Sequence, residues 1–382
     1  MFDRNNFNFI ITLILLTSFM FWVFGTLVYS AKENTKSFST SARSAALYEP
    51  ETKNFIYEKN IDERLPMAST TKIMTALLTL ENCSLDELCQ VDDNAVGIEG
   101  SSAYLKAGEV LTVEQLLYAL LLQSANDAAV ALSIYISQSV DEFAKVMNDR
   151  ANQIGATSTC FANPHGLDDI EHFTTARDLA LIAAEALQNE DFVRIVSTKN
   201  KSFSTENGER TYINHNKLLK LYEGCIGIKT GFTKKSGRCL VGASDKDGLR
   251  FVTVTLDAPD DWKDHEKMFD LGYDTLQKIN FAYEGEHIYK IPVIGGAEND
   301  VLVSNLCSSQ IILPKSNYQV DQYIKLVRFA VAPIYEGEIL GEIIYTVDGE
   351  KMGCTFLTAV KTVEKTQSNR LWNKLLSLFN IH

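Results

Sequence analysis

The sequence predicts an α/β (α+β) sandwich, in which an antiparallel sheet is flanked by helices and carries a helical lobe, followed by a small all-β domain. Three observations support this class. Residues 73–80 and 116–122 are almost wholly apolar, which is typical of buried helices. Residues 226–256 contain three closely spaced strand-like segments, which predict an antiparallel meander. Beyond about residue 280 only short alternating segments follow, which favours strands over helices there.

The N-terminus sets the expected compartment. No charged residue occurs in residues 5–31, and residues 9–28 form a mostly apolar run between Arg4 and Lys32. Residues 1–31 are therefore either a signal peptide or an N-terminal membrane anchor, and both alternatives stay open. Either one predicts that the rest of the chain works outside the cytoplasm.

The first motif with chemical meaning is Ser69-Thr70-Thr71-Lys72. Residues three apart share one face of a helix, so a helix that opens near Ser69 brings the Lys72 amine beside the Ser69 hydroxyl. Serine becomes a nucleophile when a neighbouring base takes its proton, and lysine is such a base only when its pKa is lowered. The alternative is that Ser69 and Thr70 only cap this helix.

The second motif, Ser124-Ala125-Asn126, interrupts two helical segments. Thr112 and Gln115 form a capping-box pattern before the preceding apolar run, and helix-like sequence resumes at Ala128. We expect a short polar turn that holds Ser124, a proton carrier, and Asn126, a donor to a substrate carbonyl, over a cleft. The alternative is an ordinary turn with Asp127 as helix N-cap.

The third motif, Lys229-Thr230-Gly231, follows an alternating segment that predicts an edge strand lining a cleft. Lys229 and Thr230 are suited to bind a carboxylate, and Gly231 allows a substrate backbone to pass close by. The two segments after it, residues 239–244 and 249–256, predict the next strands of the meander.

Two C-terminal features carry no catalytic motif. Residues 287–294, 323–331 and 342–347 alternate like strands, and Asp348-Gly349 predicts a hairpin turn. Residues 370–379 place apolar side chains at helical spacing opposite Arg370 and Lys374, which predicts an amphipathic helix on a membrane surface. The alternatives are a helix packed on the protein itself or a frayed tail.

The three motifs in this order are the signature of active-site serine enzymes that react with penicillin. With Pro66-Met67-Ala68 before the first motif and Asn163-Pro164-His165-Gly166-Leu167, the chain resembles the D-alanyl-D-alanine carboxypeptidases, low-molecular-mass penicillin-binding proteins. The resemblance implies a β-lactamase/transpeptidase-like fold. It divides the chain into a serine D,D-peptidase catalytic domain (32–278), a small β-domain (279–365) and a membrane-anchoring helix (366–382).

The resemblance also implies roles for the motif residues. Ser69 is then the acylated nucleophile, Lys72 its general base, and Ser124 and Asn126 complete the proton network and hold the substrate amide. Lys229 and Thr230 bind the terminal carboxylate beside Gly231, and the backbone N–H groups of Ser69 and Phe232 form the oxyanion hole. Some relatives carry an arginine at the position of His215, and whether His215 or Lys217 assists with the carboxylate stays open.

The implied reaction removes the terminal D-alanine from peptidoglycan stem peptides that end in D-Ala-D-Ala, and β-lactam antibiotics acylate the same serine. The expected location is the extracytoplasmic face of the membrane or the cell wall. Two alternatives are a class A-like β-lactamase and a non-catalytic wall-associated scaffold. The lactamase needs a carboxylate for deacylation, and its one candidate, Glu185, reads as the exposed face in the middle of a helix.

Composition excludes other classes. The formal net charge of −13 argues against nucleic acid as a partner. No phosphate-binding glycine motif predicts a nucleotide cofactor, and the six histidines show no metal-ligand spacing, so no cofactor and no metal are expected. Seven cysteines leave at least one unpaired. Cys83 with Cys89, and Cys225 with Cys239, are close enough in sequence to pair, and buried free thiols are the alternative.

Overall fold

The computed structural model describes residues 38–205 and 208–366, which divide into two compact units, residues 38–277 and residues 278–366. The predicted N-terminal apolar segment and the predicted amphipathic segment beyond residue 366 lie outside the described residues. Within the described ranges, no helix is both long enough and apolar enough to cross a membrane.

The first unit contains both helices and strands. Its strands are β1 (Ser44–Glu49), β2 (Asn54–Lys59), β3 (Leu88–Gln90), β4 (Val110–Thr112), β5 (Asn200–Thr205), β6 (Gly208–Ile213), β7 (Cys225–Thr233), β8 (Gly237–Lys246) and β9 (Leu249–Leu256). Its α-helices are α1 (Lys72–Asn82), α2 (Val113–Leu121), α3 (Asn126–Ser137), α4 (Val140–Ile154), α5 (Ala176–Ala186), α6 (Glu190–Ser197), α7 (Leu218–Leu221) and α8 (Asp261–Thr275). A 3₁₀ turn, Ala68–Thr71, precedes α1.

Five strands form one antiparallel sheet in the order β2–β1–β9–β8–β7. The predicted meander is thus confirmed, and β7 lies at the sheet edge as predicted. The side chains of β9 alternate between two faces. Val252 and Val254 join the large apolar core with α1 to α6, whereas Thr253 Oγ1 and Thr255 Oγ1 contact His265 of α8 at 2.7 and 3.0 Å. Helices therefore cover both faces of the sheet.

The helical lobe forms where the sequence predicts it. Helix α1 buries nearly every side chain of its first two turns, consistent with its unbroken apolar run. The capping box of α2 is confirmed, since Thr112 Oγ1 accepts from the Gln115 N–H at 3.2 Å and Gln115 Oε1 accepts from the Thr112 N–H at 2.9 Å. Residues 122–125 then turn the chain into α3, which fixes the second motif between two buried helices.

The second unit is all β in its described residues, as predicted. Its strands are β10 (Leu276–Ala282), β11 (Ile288–Ile294), β12 (Asp300–Asn305), β13 (Ser309–Pro314), β14 (Val320–Leu326), β15 (Ala330–Val331), β16 (Ile339–Val347) and β17 (Glu350–Ala359). Six of them pair in the order β14–β16–β17–β12–β11–β15, and β10 pairs with β13. Phe281 and Tyr345 stack at 4.7 Å in an apolar core. Asp348 and Gly349, both at positive φ, form the predicted turn between β16 and β17.

One predicted strand is wrong in extent. Residues 323–331 read as one strand, but β14 ends at Leu326 and β15 begins at Ala330. The break lets the chain leave β16, where the Val327 N–H still donates to the Leu340 carbonyl at 3.1 Å, and pair with β11 instead. Alternation alone could not reveal this change of partner, because the pattern is the same on both sides of it.

Candidate active site

The first motif, Ser69 to Lys72, folds as a 3₁₀ turn that runs into α1. Ser69 lies in the turn and Lys72 is the first residue of the α-helix. In a 3₁₀ turn residues three apart eclipse each other, which places Lys72 Nζ 3.0 Å from Ser69 Oγ. Neither Ser69 nor Thr70 caps the helix through its side chain, so the alternative capping role is wrong.

The turn is held by a second loop that packs against its backbone. Ala68 adopts φ +47°, a conformation that non-glycine residues rarely take. Gly166 has φ +91°, and a Cβ added there would lie 2.0 Å from the Ala68 carbonyl oxygen and 2.9 Å from the Ser69 nitrogen. Only glycine allows this approach. The Asn163 Oδ1 accepts from the Gly166 N–H at 2.7 Å and keeps the loop in shape.

The Lys72 amine has three neighbours. It donates to Asn126 Oδ1 at 2.6 Å and to the His165 carbonyl at 2.5 Å, and Ser69 Oγ is its third contact. Lys72 is fully buried, and burial, followed by the charge of Lys229, holds the pKa of its amine well below the usual range. A neutral amine has two N–H bonds, which the two carbonyl acceptors occupy. Its lone pair is then left for the Ser69 hydroxyl proton.

The second motif contacts the first one through Asn126. Ser124 has φ +62° in the turn before α3, and Asn126 begins that helix. The Asn126 Nδ2 donates to the Glu99 carbonyl at 2.6 Å, which fixes its Oδ1 toward Lys72. Asp127 is not an N-cap, since that position belongs to Ala125. Its carboxylate instead accepts from Ser102 Oγ at 2.6 Å and from backbone N–H groups of the same loop.

The third motif supplies a second buried amine. Lys229 on β7 is 1% exposed, and its Nζ donates to Ser124 Oγ at 3.0 Å and to the Thr230 carbonyl at 2.9 Å. Burial lowers the pKa of Lys229 to about 7. Ser124 therefore sits beside an amine that can hold or release a proton near neutral pH.

Strand β7 passes directly against the nucleophile turn. A Cβ added to Gly231 would lie 3.0 Å from the Ser69 nitrogen, so a side chain there would require the Ser69 backbone or β7 to shift by a few tenths of an ångström. Thr230 is partly exposed and Phe232 is 66% exposed, on either side of Gly231. Hydrogen bonds thus join Ser69, Lys72 and Asn126 in one group and Ser124 and Lys229 in a second. Gly231 lies against Ser69, and Thr230 and Phe232 flank Gly231 on β7.

Sequence analysis gave His165 no role of its own and missed His172, and both residues contact the segment that carries Ser69 and Lys72. His172 Nδ1 accepts from the Ala162 N–H at 3.1 Å, so its Nε2 carries the hydrogen that it donates to Thr71 Oγ1 at 2.7 Å. Thr71 Oγ1 in turn donates to the Ala68 carbonyl at 2.7 Å. Burial lowers the pKa of His172 to about 4 and that of His165 to about 3. Only the block at 163–167 drew attention to this region; nothing in the sequence marked His172.

Other predicted residues lie in different surroundings. Glu185 is in the last turn of α5, not mid-helix, and is half-buried in an ion pair with Arg150 at 2.5 Å. His215 is half-buried. Burial, followed by the charge of Lys229, lowers the pKa of its imidazole.

All seven cysteines fall in the described ranges and are free thiols. In the described part of the chain no cluster of three or more His, Cys, Asp or Glu could hold a metal ion.

Comparison with known proteins places this geometry in context. The family model for D-alanyl-D-alanine carboxypeptidases (Peptidase S11) matches residues 30–260. The D-alanyl-D-alanine carboxypeptidase DacF of Bacillus subtilis is 30% identical over 365 residues, which cover 92% of this chain and 94% of that protein. Penicillin-binding protein 5 of Haemophilus influenzae superposes with a TM-score of 0.62 at 26% identity, over 87% of this chain and 100% of that one. The peptidoglycan synthesis regulatory factor PBP3 of Streptococcus pneumoniae superposes with a TM-score of 0.68 at 25% identity, over 86% of this chain and 100% of that one.

Proposed function

This chain belongs to the D-alanyl-D-alanine carboxypeptidase family, and from that premise we propose how its residues divide the reaction. The protein is a serine-type D-Ala-D-Ala carboxypeptidase that acts on peptidoglycan stem peptides through an acyl-enzyme and binds β-lactams. We assign the acylated nucleophile to Ser69. The observation that carries this assignment is the buried Lys72 amine, whose two carbonyl acceptors leave its lone pair for the Ser69 hydroxyl.

In the proposed acylation step, Ser69 Oγ attacks the carbonyl carbon of the penultimate D-alanine while its proton passes to Lys72 Nζ. The negative charge on the carbonyl oxygen is held by the N–H groups of Ser69 and Phe232. When the tetrahedral intermediate collapses, the C–N bond breaks and the leaving amine takes the proton of the Ser124 hydroxyl, which hydrogen-bonds to Lys229. Ser124 recovers a proton from Lys72, so the Lys72 amine is neutral again. D-Alanine departs and the substrate remains as an ester on Ser69.

Substrate recognition is assigned to β7. Lys229 and Thr230 bind the terminal carboxylate, and the bound anion favours the protonated form of Lys229. Asn126 holds the substrate amide while its own side chain is oriented by Glu99 and Lys72. Gly231 keeps the strand close enough to Ser69 for the scissile bond to reach the nucleophile.

Deacylation returns the enzyme to its first state. Water attacks the ester carbonyl and its proton passes to Lys72. The C–O bond to Ser69 then breaks as Lys72 returns that proton to the Ser69 oxygen. The comparisons do not favour the class A-like β-lactamase or the scaffold. Glu185, the candidate carboxylate for the deacylation step of a lactamase, forms an ion pair with Arg150.

The family acts on peptidoglycan, which implies an extracytoplasmic location. We further propose that residues 1–31 direct export, as a cleaved signal or as an anchor, and that residues 366–382 attach the enzyme to the membrane surface. The units at 38–277 and 278–366 support assignment of a catalytic domain to 32–278 and a β-domain to 279–365.

The assignment of Ser69 is tested by intact-protein mass spectrometry after incubation with penicillin, followed by D-alanine release from a pentapeptide. We expect a one-to-one adduct and D-alanine release in the parent chain, and neither in Ser69→Ala. Ser202→Ala, on the exposed β5–β6 hairpin, is the matched control and should behave like the parent. An adduct that persists in Ser69→Ala would refute the assignment, and rapid turnover of nitrocefin would favour the lactamase instead.

A further inference from the structure

One end of the second unit exposes seven large apolar side chains. We call this group the apolar end; each member is between 43% and 63% exposed. Its members are Ile294, Val327, Phe329, Val331, Tyr335, Ile339 and Val360. Exposed apolar residues scattered singly are normal, but a group of them marks an interaction surface.

Strand pairing shows that these residues lie together. Ile294, the last residue of β11, pairs with Val331 of β15. The neighbouring Ile334 forms a bridge with Val363, and the Gly337 N–H donates to the Ala359 carbonyl at 2.9 Å. The loops that carry Phe329, Tyr335 and Val360 therefore meet at one end of the sheet.

The core of the unit does not use these side chains. Ile291 and Ile334 are 1% and 0% exposed, and they alternate with or adjoin the exposed members. The same backbone thus presents one apolar row inward and a second one outward. A fold needs only the inward row, so the outward row calls for another apolar partner.

The end of the described chain identifies that partner. Lys365 forms a bridge with Gly296, and the Thr366 N–H donates to the Gly295 carbonyl at 2.9 Å, directly beside Ile294. The sixteen residues that follow contain the amphipathic segment assigned above to the membrane surface. A segment that lies in the lipid interface and starts at Thr366 brings this end of the sheet to the same interface.

We propose that the apolar end is a second membrane contact, which enters the interfacial layer of a lipid bilayer next to the C-terminal segment. Tyr335 and Phe329 suit this position, since aromatic side chains favour the boundary between lipid and water. The inference rests on the membrane attachment proposed above.

The charged side chains at the apolar end indicate whether the contact needs anionic lipid. Arg328 is exposed at this end, but so are Glu336, Glu338 and Glu364. Lys361 is already paired with Glu298 at 2.5 Å. With both signs present, attraction to anionic lipid adds little, so a zwitterionic phosphatidylcholine bilayer should suffice for the contact.

Photo-cross-linking of the full-length protein, as processed by the cell and reconstituted into phosphatidylcholine vesicles, tests the proposal. One variant carries Phe329→p-benzoylphenylalanine. The matched control carries Leu306→p-benzoylphenylalanine, since Leu306 is 56% exposed beyond the opposite end of β12, roughly 20 Å away. Undiminished labelling by a fluorescent penicillin verifies that each variant is folded.

We expect mass spectrometry to find phosphatidylcholine adducts at residue 329 with at least five times the yield at residue 306. A cross-link from residue 329 to residues 367–382 would mean that the terminal segment covers the apolar end, and covalent dimers would mean that a second copy does. Either result overturns the proposal, as does equal yield at both positions. No adduct in protein that floats with vesicles would overturn it while membrane attachment stands. Protein that does not float would refute the attachment itself, and this inference with it.

Discussion

The two units of the molecule differ in the kind of polar side chain that they bury. Residues 38–277 bury two lysines, Lys72 and Lys229, together with Asp127, His172 and His265. In the described residues 278–366 the buried polar side chains are uncharged and mostly small, namely Ser304, Asn305, Thr346, Thr355 and Thr358. Both units leave some large apolar side chains exposed, and in the second unit seven of them form the apolar end.

This difference follows the positions of the motifs: the first unit carries all three, and the second unit carries none of them. Burial of an ionisable group disfavours its charged form and lowers stability, so such groups persist where they are used. In the first unit the buried lysines lower the stability of the fold, but a lysine with a lowered pKa can take a proton from serine. The second unit has an apolar core, and its described residues bury no charged side chain.

The largest contrast is expected when one lysine is removed from each unit. Lys72→Met should slow acylation by penicillin about 10³-fold, because the Ser69 proton then has no acceptor. Lys325→Met, in an exposed pair with Glu342, should leave the rate unchanged. Rates are measured with fluorescent penicillin, and circular dichroism verifies the fold. If folded Lys72→Met reacts at the parent rate, the contrast between the units fails.

A second pair of variants distinguishes the effect of a positive φ from the effect of steric crowding. Gly166 and Gly349 have φ +91° and +84°, but an added Cβ meets the Ala68 carbonyl at 2.0 Å only in the first case, and nothing within 4 Å in the second. Gly166→Ala should reduce D-alanine release about 10²-fold, since the nucleophile turn must move. Gly349→Ala should lower the free energy of unfolding by about 1 kcal/mol and leave kcat unchanged. Equal loss of activity in both variants would contradict this view.

A third pair compares a buried and an exposed ion pair. Arg210 contacts Glu109 at 2.8 Å, and the Glu109 side chain is 3% exposed. Arg210→Met leaves that carboxylate buried without its partner and should lower the free energy of unfolding by about 3 kcal/mol. Lys325→Met, where both partners are more exposed, should change it by less than about 0.5 kcal/mol. Denaturant titration measures both, and similar values would show that burial does not distinguish them.

The smallest effect concerns pH. Burial lowers the pKa of His265 to about 3, below the 6.5 of an exposed histidine. The unfolded chain therefore binds a proton that the folded chain does not, and stability falls as pH drops below 6.5. Between pH 6.5 and 5 this single group accounts for about 2 kcal/mol. His265→Gln should reduce that acid dependence, measured by calorimetry at both pH values; an unchanged dependence would exclude His265 as its source.

Much of the fold and of the candidate site could be predicted from local sequence. The apolar runs of α1 and α2, the capping box at Thr112 and the strand at 249–256 follow from periodicity and capping, which are local properties. The motif spacing at Ser69 and Lys72 requires only one helical turn. These predictions did not depend on which distant segments meet.

The features that could not be predicted depend on contacts between segments that are distant in sequence. His172 supports the nucleophile turn from a position 101 residues away from Thr71, and Asp127 holds a loop that begins more than twenty residues earlier. The strand break between β14 and β15 likewise comes from a change of partner that leaves no mark in the alternation. Glu185 could be placed on a helix, but its pairing with Arg150 required tertiary structure.

The free cysteines have a consequence for how this protein can be made and handled. Burial raises the pKa of Cys89 to about 12 and those of Cys225 and Cys239 to about 11, so these thiols stay protonated and react slowly with oxidants and alkylating agents. Since none of the seven cysteines forms a disulfide, we expect reducing agents to leave the fold intact during purification. Exposed Cys307 offers a site for attaching a reporter group in the second unit without disturbing Ser69.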